Sequence, residues 1–151
     1  MNRHRDRRAL PAEQDPELLL AAAHELGHAI VDLAHQVPVL GVEVNRRTHG
    51  GLTRTGFDPT TATPDQWRGA LIGDLAGFEA ELLWCHRHGG HADPASAVTD
   101  YANFTRHARR VGLTRGVART RARSVLIAHW PRLERLALRL ARHGHLDPAE
   151  C

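Results

Sequence analysis

The sequence predicts a mainly helical (α+β) domain with one small β-hairpin, and three patterns predict it. Apolar residues recur at helical spacing over several long segments, each of those segments opens on a capping signal, and one short stretch alternates instead. The 151 residues suit a single hydrophobic core. Apolar residues at 42% and charged residues at 25% are ordinary for a globular chain, which argues against disorder throughout.

Residues 1–14, with Arg3, Arg5, Arg7 and Arg8, are expected to form a flexible basic arm, and residues 15–151 a single domain. Asp15 offers an N-cap, Pro16 suits the first helical position and Glu17 complements the helix dipole. The helix they open should run to about His35, near Pro38, with Leu19, Ala23, Leu26, Ile30 and Leu33 toward the core. From Val39 to Asn45 the period changes to two: Val42 and Val44 share one face, Gly41, Glu43 and Asn45 the other. Gly50 and Gly51 permit a turn, and Leu52 to Phe57 can return as the partner strand. Thr63, Pro64 and Gln66 make a capping-box signature for a second long helix, buried along Trp67, Leu71, Leu75, Phe78 and Leu82 and ended by Gly89-Gly90. Asp93-Pro94 opens a third helix to about Val111. Further helices are expected over 114–129 and 131–143, with Gly144 as the stop. Residues 146–151 carry one more start signal with no helix after it.

Composition narrows the function classes. All 20 basic side chains are arginine, and net charge is a modest +3. The cluster from Arg106 to Arg123 could attract nucleic acid, yet it lacks interleaved aromatics and any reader motif, so a solvated helix face is the simpler reading. Cys85 and Cys151 form neither a CxxC pair nor a disulfide framework, as expected of a reduced, intracellular chain. The apolar stretch from Leu18 to Ala34 contains His24, Glu25, His28 and Asp32, too polar for a membrane span. Pro11, Glu13, Asp15 and Pro16 interrupt any signal-peptide core. A soluble, cytoplasmic protein is expected.

The first helix carries the chemistry. Ala23-His24-Glu25-Leu26-Gly27-His28-Ala29 is an HExxH motif. Four residues make slightly more than one turn, so both imidazoles leave one face about 6 Å apart, close enough to share one zinc ion. Glu25 lies beside that ion, placed as the base that takes a proton from the attacking water. Twelve histidines and eight glutamates in this length give roughly 0.05 expected chance matches. The bland alternative is a pair of histidines packed or exposed on an amphipathic helix. Gly27 weighs against it: a glycine in mid-helix costs on the order of 1 kcal/mol and implies close approach of something. A catalytic zinc takes three protein ligands. The position six residues after His28 is Ala34, so a third histidine at that spacing is absent, and His35 misses by one. Glu79, Glu81 and Asp100 remain as candidates, and spacing alone does not choose among them.

Residues 23–31 (Ala-His-Glu-Leu-Gly-His-Ala-Ile-Val) resemble the peptidase domain of the FtsH-type ATP-dependent zinc metalloproteases. Val42-Glu43-Val44-Asn45-Arg46 with Gly51-Leu52-Thr53 is similar to the strand pair that follows that family's metal helix. Ala76-Gly77-Phe78-Glu79-Ala80-Glu81-Leu82 resembles its glycine-initiated segment ending in glutamate, and Ser96-Ala97-Val98-Thr99-Asp100 the stretch whose aspartate is its third zinc ligand. The resemblance implies a zincin-like fold, zinc on His24, His28 and Asp100, Glu25 as catalytic base, and hydrolysis of peptide bonds in accessible polypeptide. It covers roughly residues 17–147. Phe78 and Ser96 depart from the family's usual residues, and these 151 residues hold no ATPase module, so ring assembly and ATP-driven unfolding are not implied. A substrate could add to the sheet edge along Val42–Val44 or its partner strand, with His49 and His91 as guesses for the oxyanion stabiliser.

Rival readings are an ImmA/IrrE-like metallopeptidase that cleaves a regulator, with Glu79 or Glu81 as third ligand, and a non-catalytic nucleic-acid- or peptide-binding protein with a structural zinc. Cys85, His86, His88 and His91 could hold a second metal, although histidines at a helix C-terminus also complement its dipole.

Overall fold

Asp15 starts the first helix by accepting the backbone N–H groups of Glu17 and Leu18 at 3.1 and 3.2 Å, with Pro16 in the first turn. In this computed structural model, which describes residues 10–151, that helix is α1, Pro16–Ala34. The strands are β1 (Val39–Val44) and β2 (Gly51–Thr55). Next come α2 (Pro64–His88), α3 (Val98–His107), α4 (Arg115–Ala128) and α5 (Trp130–His143), and last a two-residue strand β3 (His145–Leu146). The protein is mainly helical with one small sheet, the expected class.

α1 is the central element. Every position from Ala22 to Gly27 is buried, because α2 packs on one side while the sheet and α5 close the others. A helix clamped from several directions has no single core stripe. Leu18, Ala22, Leu26 and Ala29 are fully buried, whereas Leu19 is only partly covered and Leu33 is 37% exposed, against expectation. In α2 the buried face holds Leu71, Ile72, Leu75, Ala76, Ala80 and Leu83; Trp67, Phe78 and Leu82 sit at its margins. Its capping box forms as expected, with Thr63 Oγ1 accepting from Gln66 N at 3.2 Å and the Gln66 side chain accepting from Thr63 N at 2.8 Å.

The sheet is antiparallel in the order β2-β1-β3, with Val42 opposite Thr53 on one side and Leu146 on the other, and an irregularity at Leu40. β3 is the strand that sequence reading missed. Two residues are too few for alternation to register, and the pairing depends on Gly144, at φ 81°, turning the chain back along β1. Val39, Val42 and Val44 bury against the helices. Among the described residues β2 keeps a free outer edge.

Two boundaries differ from expectation. The third helical segment is not continuous from residue 93: a 3-10 turn (Pro94–Ala97) precedes α3, and another (Ala108–Val111) ends at Gly112 in a left-handed conformation. The first turn buries Ala97 and leaves Ser96 facing α2. Of the arm expected over residues 1–14, Ala12–Gln14 instead forms a 3-10 turn with Ala12 buried against the core, and residues 1–9 lie outside the described residues. Among the described residues no helix is long and apolar enough to cross a membrane.

Candidate metal centre

Helical spacing on α1 brings His24 and His28 together: their Nε2 atoms lie 3.0 Å apart. α3 brings Asp100, whose Oδ2 is 3.4 Å from His24 Nε2 and 3.3 Å from His28 Nε2. Among the described residues this is the only group of three or more His, Cys, Asp or Glu side chains poised to hold a metal ion. An ion with tetrahedral bonds of about 2.0–2.1 Å keeps its donors about 3.3 Å apart. The three separations fall close to that edge length.

The other ring nitrogens are already committed. His24 Nδ1 donates to Glu81 Oε1 at 2.5 Å, and His28 Nδ1 donates to the backbone carbonyl of Gly73 at 2.7 Å. A carbonyl only accepts, so it fixes the proton of a neutral His28 on Nδ1 and leaves the Nε2 lone pair for an ion. Ser96 Oγ donates to the same Glu81 oxygen at 2.6 Å and holds that carboxylate in place. Space is set by Gly77, where a Cβ would stand 2.5 Å from His28 Nε2 and 2.6 Å from His24 Nε2. Only a glycine lets α2 pass this close to the donors.

The electrostatics favour a cation. Burial opposes charging His28, but the hydrogen bond and charge of Asp100 prevail, and its pKa is pushed up to about 10. His24 is also raised: burial lowers it, while Asp100 and then Glu81 raise it further. Burial would raise Asp100, yet its hydrogen bonds with both histidines hold it well below the usual carboxylate range. Without a metal the cluster attracts protons to the place an ion would fill.

Glu25, 9% exposed, lines the same cavity as the three donors. Thr53 Oγ1, on β2, donates toward Glu25 Oε2 and the Glu25 backbone carbonyl, both at 2.8 Å. Gly51 supplies the space, since a Cβ there would lie 2.8 Å from Glu25 Oε1. The cavity, about 490 Å³, runs under β2, which contributes Gly51, Leu52, Thr53 and Thr55 to its lining.

Other sequence-level candidates fall elsewhere. Glu79 is only 1% exposed but points to Arg119 Nε at 2.5 Å and Arg123 Nη1 at 3.5 Å, because residues two apart on a helix face opposite ways. Glu81 supports His24 through Nδ1 and so is not placed as the third ligand on Nε2. His49 pairs with Asp15 and Glu17, at 3.0 and 2.8 Å, at the N-terminus of α1 and does not line the cavity. His91, Cys85 and His88 border a different hollow, and His88 is paired with Glu134 at 2.9 Å; with His86 they do not converge as a metal group. Sequence reasoning missed Thr53, Gly73, Gly77 and the positive part played by Ser96. None of these roles has a local signal: Ser96 lies in the 3-10 turn before α3 and acts on Glu81, 15 residues away in the chain.

No known family model matches this chain, and a search of curated proteins likewise returns no match.

Proposed function

We propose that this protein is a cytoplasmic zinc metallopeptidase that hydrolyses peptide bonds in accessible polypeptide, as the resemblance to FtsH-type peptidase domains implies. The observation that carries the reading is the triangle of His24 Nε2, His28 Nε2 and Asp100 Oδ2, separated by 3.0–3.4 Å, with Glu25 on the same cavity. Two imidazoles and a carboxylate suit zinc and leave a fourth position for water or substrate. When bound, the ion supplies Lewis acidity that polarises a carbonyl and lowers the pKa of water.

The chain's own residues do the rest. An extended substrate adds to the free edge of β2, its main chain pairing with that strand, and its carbonyl lies beside the position that His24, His28 and Asp100 would offer to an ion. β1 is paired on both sides and offers no such edge, which leaves its partner strand as the docking edge. Glu25, oriented by Thr53, accepts a proton from the attacking water and passes it to the departing amine. Glu81 and Ser96 keep His24 in register, and the Gly73 carbonyl does so for His28.

Metal content and hydrolysis of an unfolded protein test the reading together. Wild type should hold one zinc per chain and cleave. Glu25→Gln should keep the zinc and lose at least about 100-fold in rate. Asp100→Ala should lose the zinc more completely than Glu81→Ala; the reverse order would favour the ImmA/IrrE-like alternative. Undiminished activity in Glu25→Gln would remove the mechanism.

A further inference from the structure

Asp32 lies one helical turn beyond His28, so His24, His28 and Asp32 follow one another along a single face of α1. Its side chain is buried, with the residue 6% exposed, and it borders the cavity that holds the metal centre. Among the described residues its carboxylate has no hydrogen-bond or ion-pair partner. It rests over Gly73, where any Cβ would collide with it. A second carboxylate, Asp74, borders the same cavity and is held by Asn103 Nδ2 at 2.6 Å. Among the described residues no arginine lines this cavity.

A buried carboxylate without a partner, as Asp32 is, is unfavourable, and folding gains nothing from setting a second acid, Asp74, on the same cavity with only an amide to hold it. The arrangement makes sense when the counter-charge arrives from outside. Val37, Phe57, Trp67 and Leu71 supply apolar wall for the methylene stem of a long side chain whose charged end reaches the acids.

We propose that Asp32 and Asp74 form a subsite for a cationic side chain, so that the protein cleaves polypeptide beside arginine or lysine. The cleavage part rests on the peptidase reading above; recognition of the cation does not. Burial pushes Asp32 up to about 7 and Asp74 to about 6, with the charge of His28 opposing at both acids and the Asn103 hydrogen bond opposing at Asp74. A guanidinium or ammonium group seated between them restores their charge. A neutral side chain brings neither acid a counter-charge and is disfavoured.

Cleavage sites in a mixture of reduced, alkylated proteins, read by mass spectrometry, provide the test. Arginine or lysine should be enriched about tenfold or more at one of the two positions flanking the cleaved bond. The double variant Asp32→Asn/Asp74→Asn should lose that enrichment yet still cleave at other sites. Apolar or acidic preference at both positions, or enrichment untouched in the double variant, overturns the proposal and leaves the peptidase reading standing. A second zinc equivalent in wild type that disappears in the double variant also overturns it, since the acids then serve a metal.

Absence of any cleavage by wild type counts against the peptidase reading, and binding then decides the subsite alone. Titrated into the Glu25→Gln protein, acetyl-Ala-Ala-Arg-Ala-amide should bind about tenfold tighter than the same peptide with norleucine for arginine. Equal affinity overturns the subsite. That comparison needs no change at either acid, so it holds even if the double variant does not fold.

Discussion

Gly77 marks how little room surrounds the donor triangle. In Gly77→Ala the new methyl would press on both Nε2 atoms, at 2.5 and 2.6 Å, while alanine is the better helix former by about 1 kcal/mol. The expected outcome is zinc affinity lowered more than about tenfold with helicity retained, checked by chelator competition and circular dichroism. Glu81→Gln keeps the shape but removes the charge behind His24, and should weaken zinc binding about 10- to 100-fold. Asp32 makes a pH prediction. Its folded pKa of about 7 lies above the unfolded value of 3.8, raised by burial and then by Asp74, with the charge of His28 opposing. Stability from this group is therefore fully present below about pH 4 and is lost as pH rises through 7. In metal-free protein, wild type should lose on the order of 2 kcal/mol more than Asp32→Asn between pH 5 and pH 8, as urea unfolding at the two values would measure.

At the scale of elements, the contact between α1 and α2 decides whether the site exists. Gly27 lets them approach, since a Cβ there would stand 2.6 Å from Ala80 Cβ and 2.7 Å from the Ala76 carbonyl. Gly27→Ala is expected to destabilise the fold by about 1–3 kcal/mol despite its helix propensity, because rigid backbone on α2 cannot yield. It should also weaken zinc binding, since Gly73 and Glu81 ride on the helix that is pushed away. Unchanged stability would mean that the pair is looser than its glycines imply. The HExxH turn, the Asp15 cap and the Thr63 capping box were legible because each is a local pattern within one helix. The roles of Gly73 and Gly77 were not, since a glycine reveals its purpose only when the neighbouring helix is in place.

Across the whole molecule, α3 is the element expected to depend most on an ion bound at the proposed centre. Phe104 is its one buried residue, so few apolar contacts hold Asp100 against the histidines. Zinc removal should therefore speed amide exchange in Val98–His107 well before it affects α1 or α2, as hydrogen-exchange mass spectrometry would report. Uniform acceleration across all helices would point instead to an ion that stabilises the entire fold.

Read alone, the sequence determined the helical class, the caps at Asp15 and Thr63, the pairing of β1 with β2, and the juxtaposition of His24, Glu25 and His28. These follow from periods of 3.6 and 2 and from single-residue capping chemistry, which act over a few positions. Three matters were left to tertiary structure: the orientation of Glu79 and Glu81, the addition of β3, and the burial of Asp32 beside Asp74. Each depends on which surface faces a partner distant in the chain. Asp100 stands between the two classes: spacing left it open beside Glu79 and Glu81, and only the packing of α3 on α2 carries its carboxylate to both imidazoles.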